Sequence, residues 1–112
     1  MKGRYQSTLQ FDRYDGVCCK SYLLIESDGQ FALANLNAPP SGVWIDPRSS
    51  EAFWKGQIDL SSNSHELTAV CSDLSRDKKL VFTRNADYLE VKDAEDDEWS
   101  VFGLSGKYFL DE

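Results

Sequence analysis

A chain of 112 residues, 41% hydrophobic and 28% charged, is long enough to bury one core and too rich in large apolar side chains to be a disordered segment. Its net charge of −7 argues against a direct nucleic-acid partner, because phosphate binding needs a basic surface. No apolar run approaches the ~20 residues that cross a bilayer, so no membrane partner is expected and the chain reads as a single domain, 1–112.

The first segment, Arg4 to Phe11, alternates in the manner of a half-buried strand. Tyr5, Ser7, Leu9 and Phe11 share one face. Met1 to Thr8 shows no apolar signal-peptide region, and three cysteines are an odd number for a disulfide framework. A reduced, cytoplasmic protein is the expectation. Beyond Asp12–Gly16, alternation resumes from Val17. Val17, Cys19, Leu23 and Ile25 lie on one face, interrupted by Ser21, with Cys18, Lys20, Tyr22 and Leu24 on the other. Ser27-Asp28-Gly29-Gln30 carries a turn signal before Phe31–Leu36, which predicts a hairpin over about 17–36. Adjacent cysteines on a strand point to opposite faces. Cys18 and Cys19 are therefore badly placed to share a metal or a disulfide, and only Cys18 is expected to reach solvent.

Residues 37–51 read as a long connection, broken by Pro39-Pro40 and Asp46-Pro47 around the apolar plug Val43-Trp44-Ile45. Trp44 either folds back to cap one end of the core or stands out as an anchor. Ala52–Leu60 is strand-like, with Trp54, Gly56, Ile58 and Leu60 in phase. Residues 64–76 satisfy two patterns. Leu67, Val70, Cys71 and Leu74 have helical spacing, while Leu67, Ala69 and Cys71 alternate as in a strand. The Ser, Thr, Val and Cys content favours the strand. Strand patterns follow at 80–83, 88–91, 99–102 and 107–110.

Short strands with turns every 8–12 residues predict an all-β domain, an antiparallel meander of about eight strands forming a small barrel or strongly curved sheet. The alternative is α+β, with one helix near residues 64–76. The opening Gly3-Arg4-Tyr5 resembles the lipocalin-type start, in which a glycine precedes an aromatic residue that closes the barrel floor.

Little of the sequence looks catalytic. His65 is the single histidine, and Ala69 stands where a zinc-protease helix would place a second. No phosphate loop, nucleophile elbow or EF-hand spacing is present. No catalytic residue, metal or cofactor is therefore expected. Charge is the strongest functional signal. Between Asp87 and Glu98 seven acids face one base, Lys92, so this segment carries −6 of the chain's charge. Such a patch would steer a basic protein partner. The expected contact set is Asp87, Glu90, Asp93, Glu95, Asp96, Asp97, Glu98 and Trp99, with Trp44 and Phe53 as further aromatic anchors, in the manner of an inhibitor or immunity-type protein. A second expectation is a lipocalin-like barrel holding a small apolar ligand among Tyr5, Tyr22, Trp44, Trp54 and Tyr88, under a lid formed by 37–51. A homodimer through an exposed edge strand is compatible with either.

Overall fold

The computed structural model describes residues 2–11, 18–73, 77–93 and 104–111, with only the backbone given for Phe11 and Asp93. The described strands are β1 (Gly3–Ser7), β2 (Gln10–Phe11), β3 (Cys18–Ile25), β4 (Gln30–Asn37), β5 (Trp54–Gln57), β6 (Glu66–Ser72), β7 (Asp77–Arg84), β8 (Leu89–Asp93) and β9 (Gly106–Asp111). Each pairs antiparallel with its sequence neighbour from β2 to β9, and β1 closes the circle by pairing with both β9 and β3. β1 and β2 are two halves of one strand on β3, which makes eight barrel staves. The expected strand at 99–102 lies outside the described residues.

The chain is thus an all-β, antiparallel barrel, and among the described residues the only helical element is a 3-10 turn at Pro47–Ser49. No described helix is long and apolar enough to cross a membrane. The expectation of an edge available for dimerisation does not hold for β1, whose two sides are both paired.

Over its described part, the 64–76 ambiguity resolves as strand β6, with Leu74 outside the described residues. Leu67, Ala69 and Cys71 are buried in the core, while Val70, which a helix would have placed beside Cys71, is 62% exposed. Period two wins because β6 is flanked by β5 and β7, which supply ladder partners that a helix could not use. The predicted hairpin is β3–β4. Gly29, at φ 88°, makes its turn, and Gly29 N–H donates to Glu26 O at 3.0 Å.

The first strand departs from strict alternation. Gln6 faces Tyr22, but Gln10 faces Cys19, so one extra residue bulges between the two halves. Leu9, expected inward with Tyr5 and Ser7, is therefore turned out and 57% exposed, and Gln10 takes the inward side opposite Cys19.

Among the described residues the interior holds one apolar cluster, built from the in-phase residues of successive strands, Tyr5, Leu23, Ile25, Phe31, Leu33, Trp54, Leu67, Leu80, Phe82, Leu89, Val91 and Tyr108 among them, with Ile58 just beyond β5. Phe31 meets Phe82 edge-on at 5.2 Å.

The 37–51 connection is not a lid across the barrel's end. It lies as a strap on the outer wall of β1, β3 and β4. Trp44 Nε1–H donates to Tyr5 O at 3.0 Å, and the Arg4 guanidinium sits 5.1 Å from its ring centre. Pro47 is fully buried, and Arg48 bridges Asp46 at 2.7 Å and Glu26 at 3.1 Å. That bond holds the Asp46 carboxyl below its ordinary range. Beneath the strap, Tyr22, Ala32 and Ala34 face outward and are nonetheless buried. Trp44 therefore pins the strap to the wall instead of capping an end of the core.

Candidate functional site

Antiparallel alternation gives the barrel two chemically different ends. The start of β1, the end of β9 and the β3–β4, β5–β6 and β7–β8 turns lie at one end, the floor. The starts of β3, β5, β7 and β9 and the ends of β2, β4, β6 and β8 lie at the other, the mouth.

The floor is apolar and tied shut. Tyr5 is buried there, and desolvation pushes its phenol above the ordinary range. Gly3 adopts φ 147°, a backbone conformation strained for a residue with a side chain, and a Cβ there would have to displace Leu110 Cδ1, 2.6 Å away. Arg84 Nη2 donates to Ser62 O at 3.0 Å, joining β7 to the β5–β6 turn. Gly3 and Tyr5 thus sit at the same end of the barrel, opposite Ile25 and Leu23 of β3. Outside them is a depression of about 390 Å³, lined by Tyr5, Arg84, Asp87, Tyr88, Leu89 and Leu110. On its rim the Tyr88 ring lies 6.1 Å from Phe109 and 4.9 Å from Lys107 Nζ.

Towards the mouth the same inward faces become polar. On β3, Ile25 and Leu23 give way to Ser21 and Cys19; on β4, Phe31 and Leu33 give way to Asn35 and Asn37; on β7, Phe82 and Leu80 give way to Lys78. These groups are organised. Asn35 Nδ2 donates to Gln10 Oε1 at 3.0 Å and to Ser21 Oγ at 3.1 Å. Ser21 N–H donates to Ser7 Oγ at 2.8 Å, and Ser7 Oγ–H donates to Thr8 O at 2.9 Å. Cys19 Sγ–H donates to Asn37 Oδ1 at 3.6 Å. Tyr108, wholly enclosed, donates its hydroxyl to Leu104 O at 2.7 Å. Burial drives its phenol far above the ordinary range, and a hydrogen bond with Ser21 draws it partly back. On the opposite wall Lys78 is in register with buried Cys71, and its ammonium stands 5.4 Å from the Trp54 ring centre. Gln10, Asn35 and Lys78 remain partly exposed, although the apolar residues below Asn35 and Lys78 on the same strands are sealed.

The residues expected to line a ligand cavity do not come together. Tyr5 is at the floor and Tyr88 on the floor's rim, Tyr22 and Trp44 lie on the outer wall, and Trp54 alone stands beside the mouth group, against Lys78. Of the acidic set, Asp87 and Glu90 are exposed at the start of β8, and Asp93 ends that strand. Glu95, Asp96, Asp97, Glu98 and Trp99 lie outside the described residues. Phe53 is half-buried just before β5, and His65 is exposed in the β5–β6 turn. Cys18 faces outward beside Lys20 in a groove of about 560 Å³ with Leu9, Pro39 and Pro40, while Lys20 Nζ donates to Gln6 Oε1 at 2.9 Å.

Gln10, Ser21, Asn35 and Lys78 were missed as site residues. Three were signalled by phase: Ser21 with Leu23 and Ile25, Asn35 with Leu33 and Phe31, Lys78 with Leu80 and Phe82. Gln10 was hidden by the bulge. Among the described residues no group of three His, Cys, Asp or Glu side chains could hold a metal.

Geometry of this kind defines a small antiparallel barrel with an apolar floor and a polar mouth. Comparison of the chain with protein-family models, curated proteins and solved structures gives no match.

Proposed function

We propose that the domain is a non-enzymatic binding module that takes a small molecule into the polar mouth of the barrel. One observation carries this reading: Gln10, Asn35 and Lys78 point inward and yet keep contact with solvent. Inward polar groups give no stability advantage over apolar ones of the same size, since their desolvation offsets their hydrogen bonds. Eight strands enclose just enough space for side chains or one small ligand. The test is amide and side-chain NMR of the labelled protein against a mixture of small polar fragments. Shifts clustered on Gln10, Ser21, Asn35 and the Trp54 indole support the reading. Shifts confined to Tyr88 and Leu110 at the floor rim, or none, refute it.

A second reading, docking of a basic protein on the acidic segment, draws support from the floor rim. There Leu110 is 51% and Phe109 39% exposed, beside Tyr88, Asp87 and Glu90, which combines apolar area with negative charge. The test is capture from lysate across a salt series, comparing the native chain with one in which Asp87 and Glu90 become Asn and Gln and with a second in which Glu95, Asp96, Asp97 and Glu98 become Gln or Asn. Capture that neither salt nor neutralisation weakens rules this docking out.

A further inference from the structure

We infer that the mouth selects ligands that donate a hydrogen bond, N–H or O–H compounds over aprotic ones of the same shape, because the Asn35 side chain is locked with its oxygen left for the ligand. The inference rests on the mouth as the binding site and adds the chemical class of what it takes.

An asparagine amide that is free to turn can offer a ligand either its nitrogen or its oxygen. Asn35 is not free to turn. A chain of hydrogen bonds runs from it to a main-chain carbonyl, and the direction of that chain is fixed at its far end. Leu104 O can only accept, so Tyr108 spends its single hydroxyl hydrogen there, at 2.7 Å. Tyr108 is wholly enclosed, so no solvent oxygen competes for that hydrogen. The hydrogen bond between Tyr108 and Ser21 is then donated by Ser21, which spends its own hydrogen in turn. Ser21 Oγ is left to accept, and it does so from Asn35 Nδ2 at 3.1 Å. The other Nδ2 hydrogen goes to Gln10 Oε1 at 3.0 Å. Turning the amide over would set Asn35 Oδ1 against Ser21 Oγ and Gln10 Oε1, oxygen facing oxygen with no hydrogen between them.

Oδ1 is therefore the one polar atom of Asn35 left over. It belongs to the inward face of β4, in phase with Leu33 and Phe31 and opposite Ser21. Among the described residues Oδ1 accepts from no group, and no side-chain oxygen or nitrogen is both enclosed and without a partner. The atom is thus open to whatever enters the mouth. A ligand N–H or O–H completes it. A ligand oxygen brings a second acceptor against it, and both stay unpaired once water is displaced.

γ-Butyrolactam and γ-butyrolactone test the inference. They share a five-membered ring and a carbonyl and differ in one group, N–H in the lactam and oxygen in the lactone. Every other group of the mouth therefore acts on both alike. Each is titrated into the labelled full chain, with the Ser21 amide and Trp54 indole resonances as readout. The lactam is expected to bind about tenfold more tightly, a ratio equivalent to ~1.4 kcal/mol. Asn35→Asp keeps an acceptor and should keep the preference, whereas Asn35→Leu has none and should lose it. Tyr108→Phe alters no group that meets the ligand, yet it returns a hydrogen to Ser21 and so unlocks the amide. It should lower the ratio about threefold or more. If the lactone binds the native chain as tightly as the lactam, or if Asn35→Leu or Tyr108→Phe leaves the native ratio in place, the locked acceptor is wrong while the mouth stands as a site. If neither probe moves a mouth resonance, the mouth itself is not the site and the selection falls with it.

Discussion

Changing Tyr108 to Phe removes one oxygen from the most enclosed phenol in the barrel. That hydroxyl donates to Leu104 O at 2.7 Å and shares a hydrogen bond with Ser21. Its loss leaves a buried carbonyl short of a donor, which costs about 1–3 kcal/mol. In a domain of this size about 1 kcal/mol moves the melting temperature by about 4 °C, so a fall of roughly 4–12 °C is expected at pH 7. The same substitution should change the alkaline limb. Burial raises the folded-state pKa of Tyr108 above its unfolded value near 10, so the fold prefers the protonated phenol. The contribution is fully present below about pH 10 and is lost as pH rises from there towards the raised folded value, with a limiting slope of about 1.4 kcal/mol per pH unit. The native chain therefore loses stability above pH 10, and Tyr108→Phe loses it less steeply. Some slope remains from Tyr5 and Tyr22, both raised by burial. Urea midpoints followed by circular dichroism between pH 7 and 11.5 measure both effects. Equal midpoints at pH 7, or parallel alkaline slopes, would refute the account of this hydroxyl.

Gly56→Ala should destabilise by about 1–3 kcal/mol, because its Cβ would stand 2.6 Å from Phe31 Cζ and 2.7 Å from Val70 O, and Phe31 is held against Phe82. An unchanged thermal midpoint would mean that β4 and β6 do not crowd this position. A thiol reagent on native protein should reach half-buried, outward-facing Cys18 more than about tenfold faster than buried Cys19 and Cys71, the margin that ~1.4 kcal/mol of local opening imposes. Mass spectrometry of labelled peptides over time checks this, and equal rates at 18 and 19 would show the β3 register to be wrong.

The barrel itself was legible because a sheet buried on one side prints its face onto the sequence with period two. The β3–β4 hairpin and the disputed β6 both followed from that rule. Where it failed, a local event had shifted the phase. The bulge before Gln10 inverts the faces of the first strand, and no residue in Thr8-Leu9 announces it. The strap was misplaced for another reason. Val43-Trp44-Ile45 shows that something apolar must be covered, but not whether an end or a wall of the barrel does the covering, and Tyr22, Ala32 and Ala34 on the outer wall supply the partner. The mouth was the least legible feature. Binary patterning reads a polar residue as facing water outside, so Ser21 passed for an interruption when it was the first sign of a polar interior.

The closure of β1 between β9 and β3 bears on how the chain reaches this state. Arg4 pairs with Asp111, so the seam joins positions almost the full described length apart. Hairpins such as β3–β4 and β6–β7 can zip locally, but the seam can form only once β9 has emerged from the ribosome, and its loop-closure entropy is the largest in the molecule. Until then the unfinished cylinder has an open strand edge available to a neighbouring copy. A chain shortened before β9 would therefore keep that edge and is expected to aggregate instead of folding into a smaller version of the same barrel.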